Sequence, residues 1–338
     1  MTDSKNNTES KENAERIAQN SAVNNPVVNK RDYRTSIGGQ ALIEGVMMRG
    51  PRKQAVVVKT KDGFVTDVSE IKLLKDKYPI VGFIFIRGVV NLISSMAVGM
   101  RALMFSAECL PEEDQEEPSK FDKWVNEKVG SEKADKIIIT LAMVLGIALS
   151  IGLFIILPTF LAGFISKLTE NRILKSLMEG VLRIVIFLAY MWLATRLKDI
   201  KRVWAFHGAE HKAIFCYEKG LPLTVENARD QSRQHPRCGT SFMFIVMIVS
   251  IFVFSFTGWE NIWIRIGFRL LLLPVVIAIS YEIIKLAGRY DNLLTAIVSA
   301  PGKALQKLTT REPDDEMLET ALEALRLVIP ENSAEARW

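Results

Sequence analysis

Apolar and polar positions are sharply segregated along this chain, and the segregation outlines its elements. Ile137 to Ile165 runs without a charge, Leu174 to Thr195 carries Glu179 and Arg183, and Ser241 to Thr257 is again uncharged. Ile264 to Ile284 completes the set, with Arg265 and Arg269 expected to snorkel toward its first end. Each run approaches the roughly 18–20 residues that cross a bilayer as a helix. Gly146 and Pro158 are expected to bend the first span, and Glu179 and Arg183, four apart, to pair on one helix face. Residues 79–107 are apolar too, but Arg87, Asn91 and Arg101 interrupt them, so interfacial or re-entrant helices are expected, with a fifth span as the alternative.

Other periods occur elsewhere. "QAVVVKT" and "FVTDVSEIK" are β-prone runs joined through "KDG", a hairpin signal. Ahead of them "SIGGQALIEGVMMRGP" reads as one short strand or a tight loop, so 35–75 form a small β-containing module. Residues 1–34 are polar, lack the apolar core of a signal peptide and are expected to be disordered. Residues 108–136 form a charged linker. In the tail, 290–338, apolar residues at Met317, Ala321, Leu322 and Leu325 predict an amphipathic helix capped by Asp314 or Asp315. The expected fold is therefore mainly α: a polytopic helical membrane protein of about four spans, 137–289, with a small β-containing N-terminal module.

Charge orients this arrangement. The segment 198–239 carries eight Lys or Arg, and the short connections after the first and third spans carry few. The positive-inside rule then places that segment and both termini in the cytoplasm, at the cell membrane. The 338 residues have a formal net charge of +5 and a positive mean hydropathy. That basic excess fits the lipid bilayer rather than nucleic acid, there being no aromatic–basic pattern. Three unpatterned cysteines make no disulfide framework, which suits a reducing compartment.

All three histidines fall between 207 and 238, together with Cys238. His207 and His211 stand four apart, on one face of a helix, with Glu210 between them in the order HxxEH. That order is the inverted zincin signature, in which the pair holds zinc and the Glu can act as general base. His235 and Cys238 offer a third and a fourth ligand, and the mixture of thiolate and imidazole favours zinc among divalent metals. With all four as ligands the site is closed and structural; with one outside it, a position stays open for water. A His pair on a helix can also simply pack.

Other polar residues have both functional and structural readings. Glu44 and Arg49 either meet the metal or an anionic substrate, or form an ion pair at a strand end. Gly38-Gly39 could cradle a phosphate but lacks the rest of a P-loop. Lys212 is an anion ligand or a solvated charge; Glu282 donates a ligand or sits at the interface beside Tyr281. Cys109 and Cys216 read as packing residues.

"GGQALIEGVMMRGP", "FHGAEHKAIFCYE", "HPRCGTSF", "RLLLLPVVIAISYE" and "TTREPDD" together resemble the YqhQ-like bacterial family, over roughly residues 35 to 325. The resemblance implies a multi-pass membrane protein with a His/Glu/Cys site, of a kind labelled a metal-dependent enzyme. The leading expectation is a zinc-dependent hydrolase at the cytoplasmic membrane surface, acting on a lipid-linked ester or phosphoester or a membrane-anchored peptide. A membrane scaffold whose structural zinc steadies a surface for a protein partner, docked through the N-terminal module or the C-terminal helix, is the alternative. A transporter is the third.

Overall fold

A computed structural model describes residues 34–71, 78–110, 131–165, 169–258, 261–290 and 292–336. The expectations for 1–33 and for 111–130 lie outside these residues.

Four strands, β1 (Gly38–Leu42), β2 (Gly45–Arg49), β3 (Lys53–Thr60) and β4 (Gly63–Glu70), form an antiparallel sheet in sequence order. The β3–β4 hairpin is the one the sequence signals, and Gly63 takes the positive φ its turn requires, 124°. The stretch ahead of it is not one strand or a loop but a second hairpin, pairing Leu42 with Gly45. Its turn places Glu44 at φ 52°. A glutamate there gives none of the Asn or Gly signal that marks such turns.

Alternation along β2 and β3 sends side chains to two covered faces. Val46, Met48, Ala55 and Val57 pack on two helices described below, whereas Leu42, Met47, Val56 and Val58 pack around Ala102. Ala102 belongs to α1 (Ile84–Glu108), a single helix where interrupted interfacial pieces were expected. By length and composition α1 could cross a membrane. Its contacts tie one end to the sheet and the other to the helix Ile262–Arg289. The Ser106 hydroxyl donates to the Ile43 carbonyl, and Arg87 Nε donates to Glu282 at 2.6 Å.

The first expected span is α2 (Ser131–Ile151), a π-helical turn (Gly152–Ile156) and α3 (Leu157–Ile165). Pro158 accounts for the wide turn: it has no N–H to offer the carbonyl four residues back. That carbonyl, of Phe154, accepts instead from Arg183 Nε at 3.1 Å. Next come α4 (Arg172–Ala194), α5 (Lys198–Glu218), the short α6 (Val225–Arg229), α7 (Gly239–Phe254) and α8 (Ile262–Arg289). The chain ends with α9 (Leu293–Thr309) and α10 (Asp315–Val328). Among the described residues four helical stretches are long and apolar enough to cross a membrane: α1, 137–164, α4 and α8; α7, with 16 residues, is shorter.

Within the bundle Glu179 and Arg183 meet as expected, at 3.4 Å. The main partner of Glu179 is nevertheless Arg269, which donates Nη2 to Oε2 at 2.6 Å. Arg265 and Arg269 do not snorkel; both turn inward, 4% and 1% exposed. A carboxylate among apolar helices is tolerable only with partners, and a guanidinium fork supplies two bonds at once.

The predicted tail helix is α10, capped by Asp314, which accepts from the Met317 N–H at 2.9 Å. Its apolar stripe of Met317, Ala321, Leu322 and Leu325 is covered by the sheet and by α5.

Candidate metal centre

The outer half of α5 carries the chemistry. Ala205, Ala209 and Ala213 form a small-residue face on which the sheet and α10 close, leaving the neighbouring face for His207, Glu210 and His211. Gly208 sits where the chain of 309–313 crosses; a Cβ there would collide with the Arg311 carbonyl. The crossing delivers the Thr309 carbonyl to His207 Nδ1 at 2.8 Å, and the Arg233 carbonyl meets His211 Nδ1 at 2.6 Å. A carbonyl only accepts, so both Nδ1 atoms carry a proton and both Nε2 atoms are turned toward another partner. This is how ligating imidazoles are held.

Cys238, at the N-cap of α7, completes the cluster, its Sγ 3.1 Å from His207 Nε2. One ligand atom from each of His207, His211 and Cys238 lies within 4.8 Å of the others. Tetrahedral zinc sets its ligand atoms roughly 3.3–3.6 Å apart, so two imidazoles and a thiolate in this arrangement suit it with small shifts. Burial alone would lower the His207 pKa and raise that of Cys238. Each is overridden by the other's opposite charge: His207 is raised to about 9 and Cys238 falls well below the usual thiol range.

Glu210 is buried beside this group, and burial raises its pKa against the pull of His211 and His207. Its carboxylate takes the Gly39 N–H. The approach is close: a Cβ on Gly39 would stand 3.0 Å from Glu210 Cδ and 2.6 Å from the Met47 carbonyl. Only glycine fits between strand and carboxylate.

His235 lies outside the ligand group. Its Nε2 faces Glu218 Oε2 at 3.5 Å and Arg237 Nη2 at 3.2 Å, and its ring packs on Phe215. Gln306 clamps its backbone from both sides, accepting at 2.6 Å and donating at 2.7 Å. Glu218 also pairs with Arg237 and takes the Thr35 N–H at 2.8 Å. Burial lowers the His235 pKa, whereas Glu218 is drawn down against its own burial by His235 and Arg237.

The accessory residues disperse. Glu44 pairs with Arg202 rather than with Arg49, and Glu282 pairs with Arg87. Lys212 pairs with Glu312 and donates to the Arg229 carbonyl at 2.6 Å. Arg49, half-buried with its pKa lowered by that burial, has no carboxylate partner among the described residues; it lines a cavity of about 290 Å³ with Gly38 and Gly39. Cys216 is a core residue. Sequence reasoning missed Gly39 as the contact of Glu210, although the Gly-Gly pair was its signal, and missed Glu218, which nothing in the sequence marks.

Fold and site define a polytopic helical membrane protein whose His/His/Cys/Glu cluster lies where the bundle meets a small four-stranded sheet. The chain belongs to the family described as a protein of unknown function, DUF1385, which matches residues 83–331. It is 33% identical over 299 residues to the uncharacterized protein YqhQ of Bacillus subtilis strain 168, covering 88% of this chain and 93% of that protein. No solved structure matches it.

Proposed function

We propose that the protein is a zinc-dependent hydrolase working at the cytoplasmic membrane surface. The observation that carries this reading is the count of ligands. His207, His211 and Cys238 converge, while His235, the fourth by sequence, is engaged by Glu218 and Arg237. Three protein ligands leave a coordination position open, the mark of a catalytic rather than a structural site. His207, His211 and Cys238 would hold the zinc, whose chemistry there would be to acidify a water. Glu210, adjoining the cluster with its pKa raised by burial, is the group to accept that proton, since a base works best near ambient pH. The Gly39 N–H keeps its carboxylate aimed, and the Thr309 and Arg233 carbonyls keep the imidazoles aimed.

Position argues for a substrate at the membrane. The start of α7 and the end of α9 meet the cluster, and the start of α9 presents Leu293, Leu294 and Ile297 outward, an apolar edge that suits the headgroup boundary. A lipid-linked ester or phosphoester, or a membrane-anchored peptide, is the substrate class such a site would reach.

The scaffold alternative asks for a closed tetrahedron and a free docking face. Neither is favoured, because the apolar stripe of α10 and both faces of the inner strands are covered within the chain. The transporter reading loses its main support in Glu179, which is enclosed by Arg269, Arg183 and Thr159.

Metal analysis of the purified full chain tests the ligand set. We expect about one zinc per chain, lost in a His207→Ala, His211→Ala double variant and in Cys238→Ala, and kept in His235→Gln. Full zinc in the double variant would make the cluster a packing feature. A folded, monodisperse His235→Gln without zinc would close the tetrahedron and return the scaffold reading.

A further inference from the structure

A second feature of the same pole lies outside the metal cluster. Where the end of α4 meets the start of α5 and the end of α9, a cavity of about 360 Å³ is lined by Arg196, Lys201, Arg233, Lys307 and Arg311, with Trp192 at its edge. Five cations share this space, and none of its lining residues is acidic. The surrounding ion pairs scarcely offset them. Arg233 reaches Glu312 only at 4.0 Å and donates Nη1 to the Thr310 carbonyl at 2.9 Å, while the Arg196 guanidinium lies 4.4 Å from the Trp192 ring centroid. Gathering five like charges is unfavourable unless an anion is at hand.

The place of the cavity names the source of that anion. Trp192 is in the last turn of α4, a helix long and apolar enough to span, and is half exposed beside Leu193 and Leu197. Tryptophan at the end of such a helix marks headgroup level, and clustered Lys and Arg just beyond it recognise anionic headgroups. We infer that this cavity binds the phosphate group of an anionic phospholipid, its acyl chains lying along α4 and the start of α9. Arginine forks grip the non-bridging oxygens, Lys201 and Lys307 add charge, and Trp192 packs on the glycerol region. The same segments hold the metal cluster: the Arg233 carbonyl accepts from His211, and Thr309, next to Thr310 in the lining, accepts from His207. The inference stands without the hydrolase reading, because its readout is binding.

The test uses the full chain in an uncharged detergent, titrated separately with short-chain phosphatidylglycerol, short-chain phosphatidylcholine and inorganic phosphate. Phosphatidylglycerol should bind at least about tenfold more tightly than phosphatidylcholine. An Arg196→Gln, Lys201→Gln, Lys307→Gln variant should bind it about a hundredfold more weakly, at roughly fivefold per cation. All three side chains reach solvent, so the fold should persist, and unchanged zinc content and melting temperature check that it does. Removing three exposed cations away from the cavity, Lys53, Lys219 and Arg289, should leave the affinity within a factor of about three. Equal losses from both sets would reduce the effect to general surface charge and overturn the site. Equal binding of phosphatidylcholine would overturn the anionic headgroup, and inorganic phosphate binding as tightly as the lipid would assign a soluble ligand instead.

Discussion

At the scale of single residues, Glu210 separates catalysis from metal holding. Its carboxylate meets the Gly39 N–H and the electrostatic field of both histidines without being one of the converging ligand atoms. Glu210→Gln keeps the size of the side chain and leaves both imidazoles and the thiolate in place. As general base it should cost a factor of roughly 10²–10⁴ in rate. In cells, the variant should fail to complement a deletion while the purified protein keeps its zinc and melting temperature. A zinc-loaded, stable Glu210→Gln protein that complements fully would sink the hydrolase proposal. The i,i+4 spacing of His207 and His211 made this much legible beforehand, because a helix fixes which side chains share a face. What His235 does was not legible: its partner Glu218 is seventeen positions away, on another turn of the fold, and only packing reveals that the imidazole is already engaged.

Among elements, the first hairpin decides whether Glu210 is aimed. Gly38 and Gly39 are neighbours on β1, yet a Cβ on Gly38 meets nothing within 4 Å, whereas one on Gly39 meets Met47 and Glu210. Gly38→Ala should therefore change stability by less than about 0.5 kcal/mol, and Gly39→Ala should cost about 1–3 kcal/mol by overpacking. Denaturant melts of the two variants, compared with in-cell activity, check this: Gly39→Ala should lose activity as Glu210→Gln does, and Gly38→Ala should not. Comparable behaviour of the pair would detach the strand from the site. The β3–β4 turn and α10 could be read in advance because "KDG" and an aspartate cap are local signals. The β1–β2 turn at Glu44 and the inward arginines of α8 could not, since each is dictated by tertiary partners: Arg202 for Glu44, and Glu179 for Arg269.

For the whole molecule, the charge of the segments that connect the helices predicts the orientation. Sheet, α5 and α10 pack together, and α4 and α9 reach them through Trp204 of α5. Arg87 of α1 meets Glu282, seven residues before the end of α8, or about 10 Å along that helix. At its other end α1 is tied to the sheet through Ser106. Between those ties α1 runs along α8, with Gly88 against Ala278 and Tyr281. Taking 137–165, α4, α7 and α8 as the crossings, we expect an even number, with 198–239 and both termini on one side. The eight Lys or Arg of 198–239 contrast with none in 255–261 between α7 and α8, so the sheet pole should face the cytoplasm. Cysteines engineered at Asn227, in the short α6, and at Gly258, between α7 and α8, provide the test. An impermeant maleimide applied to intact cells should label Gly258→Cys above the level of the parent chain and leave Asn227→Cys at that level until the membrane is permeabilised. The reverse pattern would turn the molecule over, taking the metal cluster out of the reducing compartment in which a free Cys238 thiolate persists.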